Sequence, residues 1–308
     1  LTQHRPKMPV LGKRDKVAIA LATTGASVNV SNAVPPVAGQ VLGASGATQG
    51  VWQFPFAMRD DWVNAINDYS ASGVQTQTTT SSSTNAGSIT VYLTDASSFK
   101  SSQGISIAGA GTAGADHTTT IASVNTTSNY VVLNVATVTT VASGAVVYHD
   151  DTVAINNALG DTGSVGIYLP PGDYVVTKSV YSSDVTSAIL YMPKMGKKFC
   201  GSRTGSVFSG HFAYGNPGVS RILRRNAVDN CLHMGSVCCD VNDLYFTDYA
   251  GITATGGSAI AVGKNGSGGT VFETNNSNKT AYQRLYNIEV EGFYDAVTLW
   301  QSDGGWID

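Results

Sequence analysis

A pattern of alternating apolar residues occurs twice in the last third of the chain. The nine residues from Val241 to Tyr249 match the nine from Leu285 to Phe293, and a second alternation follows each copy, at 259–262 and at 296–299. Repetition of this kind indicates one supersecondary unit that stacks on copies of itself. The inward side chains of one unit then bury against those of the next. We expect this stack to contain Leu244, Phe246, Ile260, Val262, Ile288, Val290, Val297 and Leu299.

The run from Asp150 to Thr177 predicts how this stack begins. Asp150-Asp151-Thr152 precedes a short apolar-periodic segment at 153–159, and Asp151 or Thr152 can cap the free amides at the start of a helix. Two strand-like segments follow, at 166–169 and 174–177, separated by the turn Pro170-Pro171-Gly172-Asp173. The sequence therefore predicts one short helix and then short strands.

This helix, its short strands and the Pro-Pro-Gly turn resemble the beginning of a right-handed parallel β-helix of the pectate-lyase-like superfamily, which bacteriophage tailspikes often use. The segment 63–73 is similar to the first strand and turn of such domains, although Ser70 stands where the family has glycine. On periodicity alone this segment is ambiguous, because Trp62, Val63 and Ile66 could equally line a helix face. The resemblance implies an all-β fold with a short capping helix.

The resemblance also implies an insertion, because 63–73 and 150–177 would otherwise be close neighbours in sequence. We divide the chain into a basic arm and virion-anchoring segment (1–56), the first strand of the β-helix (57–73), an inserted β-module (74–149) and the start of the β-helix proper (150–308). The inserted module begins with a Gln/Thr/Ser tract at 75–84 that reads as a linker. Short strand-like runs then predict a small barrel or sandwich: 88–93, 104–108, 118–124, 130–135 and 144–148. We expect the β-helix to continue beyond residue 308.

Composition agrees with an all-β chain and excludes several classes of function. Charged residues make up 13% of the 308 residues and 34 are glycine, which is typical of strands joined by many turns. The net charge of −3 does not indicate a basic surface of the kind that binds nucleic acid. The apolar run at 17–22 is too short to span a membrane or to serve as a signal peptide, so we expect no membrane insertion.

The four cysteines and five histidines lack metal-ligand spacing, so we expect no metal and no cofactor. We expect the cysteines to be reduced and structural, which fits assembly in a reducing cytoplasm. The first 16 residues are basic and form either a solvated arm or a tether that docks on another protein. This candidate anchor comprises Arg5, Lys7, Lys13, Arg14 and Lys16.

Glu289 and Glu291 are the candidate catalytic residues in this chain, with Asp243 on a neighbouring coil as a third. Strand alternation places both glutamates on the outer face if Ile288 and Val290 point inward. Enzymes that cut glycosidic bonds use such paired carboxylates as acid and as base or nucleophile. The alternative is that they are ordinary solvated acids on the outside of a solenoid. Arg221, Arg224 and Arg225 could meet an acidic sugar, or could make turn or inter-subunit contacts.

The resemblance implies a phage tailspike subunit that is a homotrimer, made in the bacterial host cytoplasm and incorporated into the virion. Its N-terminal region would bind the phage tail, the baseplate or another tailspike. Its β-helix would meet bacterial capsule, lipopolysaccharide or exopolysaccharide and act as a depolymerase, either hydrolase or lyase, with catalytic residues beyond 308. One alternative is a structural or adhesive tail-fibre or anchor-branching protein without catalysis. Another is a secreted bacterial polysaccharide lyase.

Overall fold

A computed structural model describes residues 29–30, 41–44, 49–53, 61–178, 181–183, 186–202, 218–236, 238–262, 280–299, 302–303 and 306–307. The chain divides into two compact units, Leu1–Phe54 and Pro55–Asp308. In the first unit, a three-stranded sheet has β3 (Gln49–Gln53) at its centre, parallel to β1 (Asn29–Val30) and antiparallel to β2 (Val41–Ala44). The five basic residues of the candidate anchor lie outside the described residues.

The second unit contains the remaining elements. The α-helices among its described residues are α1 (Ala65–Tyr69) and α2 (Thr152–Gly160). Before α2 lie the strands β4 (Trp62–Asn64), β5 (Gln77–Thr79), β6 (Thr90–Tyr92), β7 (Gly104–Ile107), β8 (His117–Asn125), β9 (Tyr130–Leu133) and β10 (Val146–His149). After α2 lie β11 (Gly166–Tyr168), β12 (Gly172–Val176), β13 (Tyr181–Ser183), β14 (Thr186–Met192), β15 (Lys198–Cys200), β16 (Ser220–Arg224), β17 (Asn230–Met234), β18 (Asp240–Asp248), β19 (Ser258–Val262), β20 (Thr280–Ala281), β21 (Arg284–Glu291), β22 (Asp295–Leu299), β23 (Ser302–Asp303) and β24 (Trp306–Ile307).

Strand β4 and most strands after α2 stack into three columns of parallel neighbours. Column I contains β4, β11, β15, the first part of β18, the first part of β21 and β24. Column II contains β12, β16 and the second parts of β18 and β21. Column III contains β14, β17, β19 and β22. From β11 onward the chain visits columns I, II and III in the same order on every turn, so each turn of the chain lies on the one before it.

The predicted internal repeat is confirmed by the register of β18 against β21. Val241 pairs with Leu285 and Phe246 pairs with Val290, while Ile260 pairs with Val297 in the strands that follow. The residues expected in the stack from the first copy are buried in one continuous core, and Ile288, Val290 and Val297 of the second copy pack against it. Leu299 departs from the expectation, because its side chain is 57% exposed.

Helix α2 forms as predicted, but its capping differs from the prediction. Asp150, rather than Asp151 or Thr152, accepts the hydrogen bond from a first-turn amide, the Thr152 N–H at 3.1 Å. The Asp151 carboxylate instead accepts bonds from the Ser72 N–H at 2.5 Å and from the Ser72 hydroxyl at 3.0 Å. This carboxylate therefore joins the two segments of chain that flank residues 74–149.

The segment after Asp61 is first a strand and then a helix, so the helical interpretation is wrong for Trp62 and Val63 and right for Ile66. Residues 62–64 form β4, which pairs in parallel with β11 at the start of column I. Helix α1 follows at once, because the Asn64 side chain accepts hydrogen bonds from the Ile66 and Asn67 amides and caps it. Ser70 ends α1 in the left-handed region with φ 62°.

Residues 77–149 contain one antiparallel six-stranded sheet in the order β5-β10-β7-β8-β9-β6. We call it the inserted sheet, because β4 and β11, which pair with each other, lie on either side of it in sequence. Its two outermost strands also meet, because the Thr94 N–H donates to the Thr79 carbonyl at 2.8 Å and the Ser81 N–H donates to the Tyr92 carbonyl at 2.9 Å. The sheet encloses an apolar core of its own. The linker expected at 75–84 is wrong for 77–79, which form β5: β-branched threonines suit a strand, and β10 offers hydrogen-bond partners.

Candidate functional site

The outward face of column II carries Glu289 and Glu291, two of the three acidic residues that the sequence singled out. Core-facing residues alternate with outward ones along each strand of this column. The strand register aligns the outward residues in two rows. Row one is Asp173, Arg221, Tyr245 and Glu289, and row two is Val175, Leu223, Thr247 and Glu291.

Row one begins with an ion pair. The Arg221 guanidinium donates from Nε to Asp173 Oδ1 at 2.5 Å and from Nη2 to Asp173 Oδ2 at 2.7 Å. Both side chains are largely buried, at 11% and 15% exposure. A bidentate pair of this kind holds two neighbouring turns of the column together. Arg221 is therefore engaged by a carboxylate of its own chain.

Arg224 points to the core side of the same strand and serves the corner between columns II and III. Its side chain is fully buried and pairs with Asp248, with Nε to Oδ1 at 2.6 Å and Nη2 to Oδ2 at 3.1 Å. Nη1 donates to the carbonyls of Asp229 and Gly256 at 2.7 and 3.1 Å. The guanidinium also lies over the Phe293 ring, 4.2 Å from its centroid. Arg224 is therefore buried and bound by groups of its own chain, so it stabilises this corner and does not face a ligand.

Arg225 lies at the contact between column II and the inserted sheet. Its guanidinium is 3.8 Å from the Tyr148 ring centroid and 5.1 Å from that of Tyr249. Tyr148 and Tyr249 pack with Val175 and Leu223, so the inserted sheet covers the first half of row two. The Tyr148 hydroxyl donates to Asp116, and burial raises the pKa of this phenol, which stays protonated. The three arginines therefore serve three separate contacts.

Glu289 and Glu291 both lie on the outward side of β21, beyond the part that the inserted sheet covers. Glu291 is exposed and Glu289 is half-buried. Two residues along a strand separate their Cα atoms by about 6.6 Å. The Tyr245 hydroxyl donates to Glu291 Oε2. Burial and this carboxylate raise the pKa of Tyr245, so the phenol remains a hydrogen-bond donor.

Asp243 lies at the corner between columns I and II. Its φ is 57°, and Asn287 in the next turn of the chain has φ 53°. The Asp243 carboxylate accepts from Asn242 Nδ2 at 2.5 Å through Oδ2 and from Asn287 Nδ2 at 3.1 Å through Oδ1. Both of its oxygens therefore hold the corner, and the structure does not bring Asp243 into the face formed by Glu289 and Glu291.

Among the described residues, no group of three or more His, Cys, Asp and Glu side chains is arranged to hold a metal ion. All four cysteines are free thiols, and Cys238 is the exposed member. Burial raises the pKa of Cys200 to about 11 and that of Cys239 to about 12, so these thiols are protonated at neutral pH. Within the described ranges, no helix is both long and apolar enough to cross a membrane.

Tyr245 and Tyr148, which are both buried on the outward side of column II, were not predicted from the sequence as part of this site. Alternation could have found Tyr245, since Leu244 and Phe246 are core residues and the residue between them must face outward. Tyr148 had no such signal, because its contact with Arg225 depends on where the inserted sheet docks.

No protein-family model matches the chain, and no curated protein matches it. Among solved structures, the chain is similar to the Gp54 tailspike of Acinetobacter baumannii bacteriophage AP22, a structure determined in complex with A. baumannii capsular saccharide. The identity is 9%, the TM-score is 0.21, and the match covers 71% of this chain. The chain spans 38% of the length of that tailspike. A likeness at this TM-score supports no statement about the function of this chain.

Proposed function

We propose that this chain is part of a phage tailspike subunit that presents a right-handed parallel β-helix to bacterial surface polysaccharide. One observation carries the proposal: parallel strands stack in three columns that the chain visits in a constant order, with successive turns in register. Such stacking buries a continuous core and leaves long outward faces on which an extended polymer can lie. Residues 74–149 would be a small β-barrel module inserted after the first strand, and residues 1–56 would anchor the protein to the virion.

The outward face of column II is the part of this surface that we assign to saccharide contact. Glu289 and Glu291 provide carboxylate oxygens that accept hydrogen bonds from sugar hydroxyls. Tyr245 fixes the position of Glu291. The inserted module covers the neighbouring Val175 and Leu223, so the assigned contact lies next to it along the column.

We propose a homotrimer in which apolar turns pack against neighbouring copies. The turns that lead from column III into column I expose Met195 (72%) and Tyr282 (68%) on different coils, and the exposed Cys238 lies on the coil between them. Exposed apolar side chains that recur at the same corner are typical of a surface that another protein covers.

A purely adhesive role is the second candidate. Asp243 is engaged in a corner, and Glu291 is bound by a tyrosine. These contacts favour binding over catalysis within these residues. Any depolymerase activity of the complete subunit would then use carboxylates beyond residue 308.

To test the proposal, the intact protein is first examined by sedimentation equilibrium, where a trimer is expected and a stable monomer would contradict the trimer. It is then incubated with purified bacterial surface polysaccharides, and binding, new reducing ends and the absorbance of unsaturated sugars are measured. Glu289→Gln and Glu291→Gln should weaken binding, whereas Asp295→Asn, an exposed acid on column III, should not. Cleavage that both glutamine variants abolish would overturn the adhesive alternative. Binding that neither variant weakens would overturn the assignment of this face.

A further inference from the structure

The outward surface of strands β6, β9 and β8 forms a small grid of side chains. Val91, Val131 and Leu133 on these strands point into the core of the inserted sheet. The alternate residues point outward, and their register places them in two rows across the strands. The first row is Tyr92, Tyr130 and Asn125, and the second is Thr90, Val132 and Ser123.

The first row presents two aromatic rings side by side. Tyr92 is 46% exposed and Tyr130 is half-buried. Their ring centroids are 5.6 Å apart and their planes meet at 62°, so one ring turns its edge to the other. Asn125 Nδ2 donates to the Tyr130 hydroxyl at 3.3 Å and holds that ring in place.

None of the six grid residues is charged. The whole segment 74–149 has three residues of the Asp, Glu, Lys and Arg types, namely Asp95, Lys100 and Asp116. Asp116 accepts the Tyr148 hydroxyl bond at the contact with column II, and Asp95 accepts from the Ser97 N–H. The grid therefore offers no cation to an acidic ligand, and its chemistry is aromatic, amide and hydroxyl.

We propose that this grid binds a neutral saccharide. A pyranose ring has an apolar C–H face that packs on an aromatic ring, and hydroxyl edges that pair with amide and hydroxyl side chains. Tyr92 supplies the exposed ring, while Asn125, Ser123 and Thr90 supply polar groups around it. Each row spans two strand spacings, about 10 Å, which accommodates roughly two sugar rings. This site lies on the inserted sheet and goes beyond the column II face assigned above.

The test uses the intact protein on an array of purified bacterial surface polysaccharides, sorted into neutral and uronic-acid-containing members. We expect binding to neutral members, at least tenfold weaker in Tyr92→Ala and retained in Tyr92→Phe, which keeps the ring. Tyr294→Ala, which removes an exposed tyrosine outside the inserted sheet, should bind as the unmodified protein does. Sedimentation equilibrium of Tyr92→Ala serves as the second measurement.

The proposal is overturned if the protein binds no neutral polysaccharide, or if Tyr92→Ala binds them unchanged. It is also overturned if Tyr92→Ala changes the oligomeric state, because the grid would then face another copy of the chain. Glu289→Gln and Glu291→Gln should leave neutral binding at the grid intact. Loss of binding in these variants alone points to the column II face, and loss in Tyr92→Ala alone points to the grid.

Discussion

Ser70 adopts φ 62°, a left-handed conformation that costs a residue with a side chain about 1–2 kcal/mol. It closes α1, and its amide donates to the Ile66 carbonyl at 3.1 Å. Glycine adopts this conformation freely, so we expect Ser70→Gly to raise the free energy of unfolding by about 1 kcal/mol. Ser70→Ala keeps the Cβ atom and should give no gain. Chemical denaturation of both variants checks this, and an equal effect of the two would contradict it.

His149 is fully buried, with its ring stacked on Phe99 at a centroid distance of 4.3 Å. Within the described part of the chain, neither ring nitrogen has a hydrogen-bond partner. Burial lowers the pKa of His149 from 6.5 to about 4. As the pH drops, His149 is therefore protonated in the unfolded chain before it is protonated in the folded one. The free energy of unfolding falls for this reason between about pH 6.5 and pH 4.

We expect His149→Phe to remove this loss, because phenylalanine keeps the ring packing and does not titrate. Urea unfolding at pH 7 and at pH 4.5 should show a smaller decrease in the free energy of unfolding for the variant than for the unmodified protein. Equal decreases in the two proteins would show that His149 does not carry this pH dependence.

Asp151 has the opposite pH behaviour. Burial raises its pKa from 3.8 to about 7, although the bonds from Ser72 oppose the shift. The folded protein therefore keeps this proton while the unfolded chain releases it, and stability is lost as the pH rises from about 4 to 7. Asp151→Asn, which does not ionise and keeps an acceptor for the Ser72 amide, should lack that loss.

Asp151→Ala should instead lower the free energy of unfolding by about 1–3 kcal/mol, because it leaves the Ser72 N–H without an acceptor. The two variants are compared by unfolding at pH 5 and pH 8. If asparagine and alanine destabilise equally at both values, the bond between Asp151 and Ser72 does not hold the flanking segments together.

At the scale of elements, the same corner recurs before three successive strands of column I, β15, β18 and β21. Gly196, Cys238 and Tyr282 have φ 72°, 58° and 59°, and each lies two residues before its strand. The next residue in two of these corners is a buried polar side chain that binds carbonyls nearby: Lys197 Nζ donates to Asp161 O and Ser164 O, and Gln283 Nε2 donates to Ser236 O. Sequence could not reveal this repeat, because glycine, cysteine and tyrosine share no chemistry and only the backbone conformation recurs.

The buried pair of Arg224 and Asp248 gives the sharpest test of the corner between columns II and III. Arg224→Ala leaves a carboxylate buried without its partner, so we expect a loss of about 3–5 kcal/mol in the free energy of unfolding. Arg284→Ala also removes an arginine that pairs with an aspartate of the preceding coil, but its side chain is 58% exposed. The second loss should be much smaller, and similar losses in thermal and chemical denaturation would contradict a structural role for Arg224.

Local patterns predicted the elements with strong periodicity. Helix α2 and strands β11 and β12 follow from the apolar run after Asp150 and from the Pro-Pro-Gly turn, although β12 begins at Gly172, inside the predicted turn. The pairing of β18 with β21 follows from the repeat. Strand β5 was missed because its Gln/Thr composition has no apolar alternation, and only its pairing with β10 makes it a strand. Asp243 was named as a candidate acid because sequence shows its type and not its φ of 57°.

At the scale of the whole molecule, the proposed function depends on the stacking of one chain turn on the next. The bond from Arg284 Nε to Asp240 Oδ1 at 2.9 Å, between residues 44 apart in sequence, joins two such turns in register. Thr247 and Glu291 are register neighbours on the outward side of the same two turns. Neighbouring strands lie about 4.8 Å apart, so cysteines at these two positions should be able to form a disulfide with little movement.

The most direct measurement is therefore disulfide trapping with Thr247→Cys and Glu291→Cys, in a background in which the exposed Cys238 is replaced by glycine. After mild oxidation of the folded protein, peptide mass spectrometry should find 247 linked to 291 within one chain. The control pair is Thr247→Cys with Thr298→Cys, since Thr298 is in register with Ala261 of column III, and it should remain reduced. Absence of the 247–291 link, or an equal yield in the control, would contradict the stacked parallel columns.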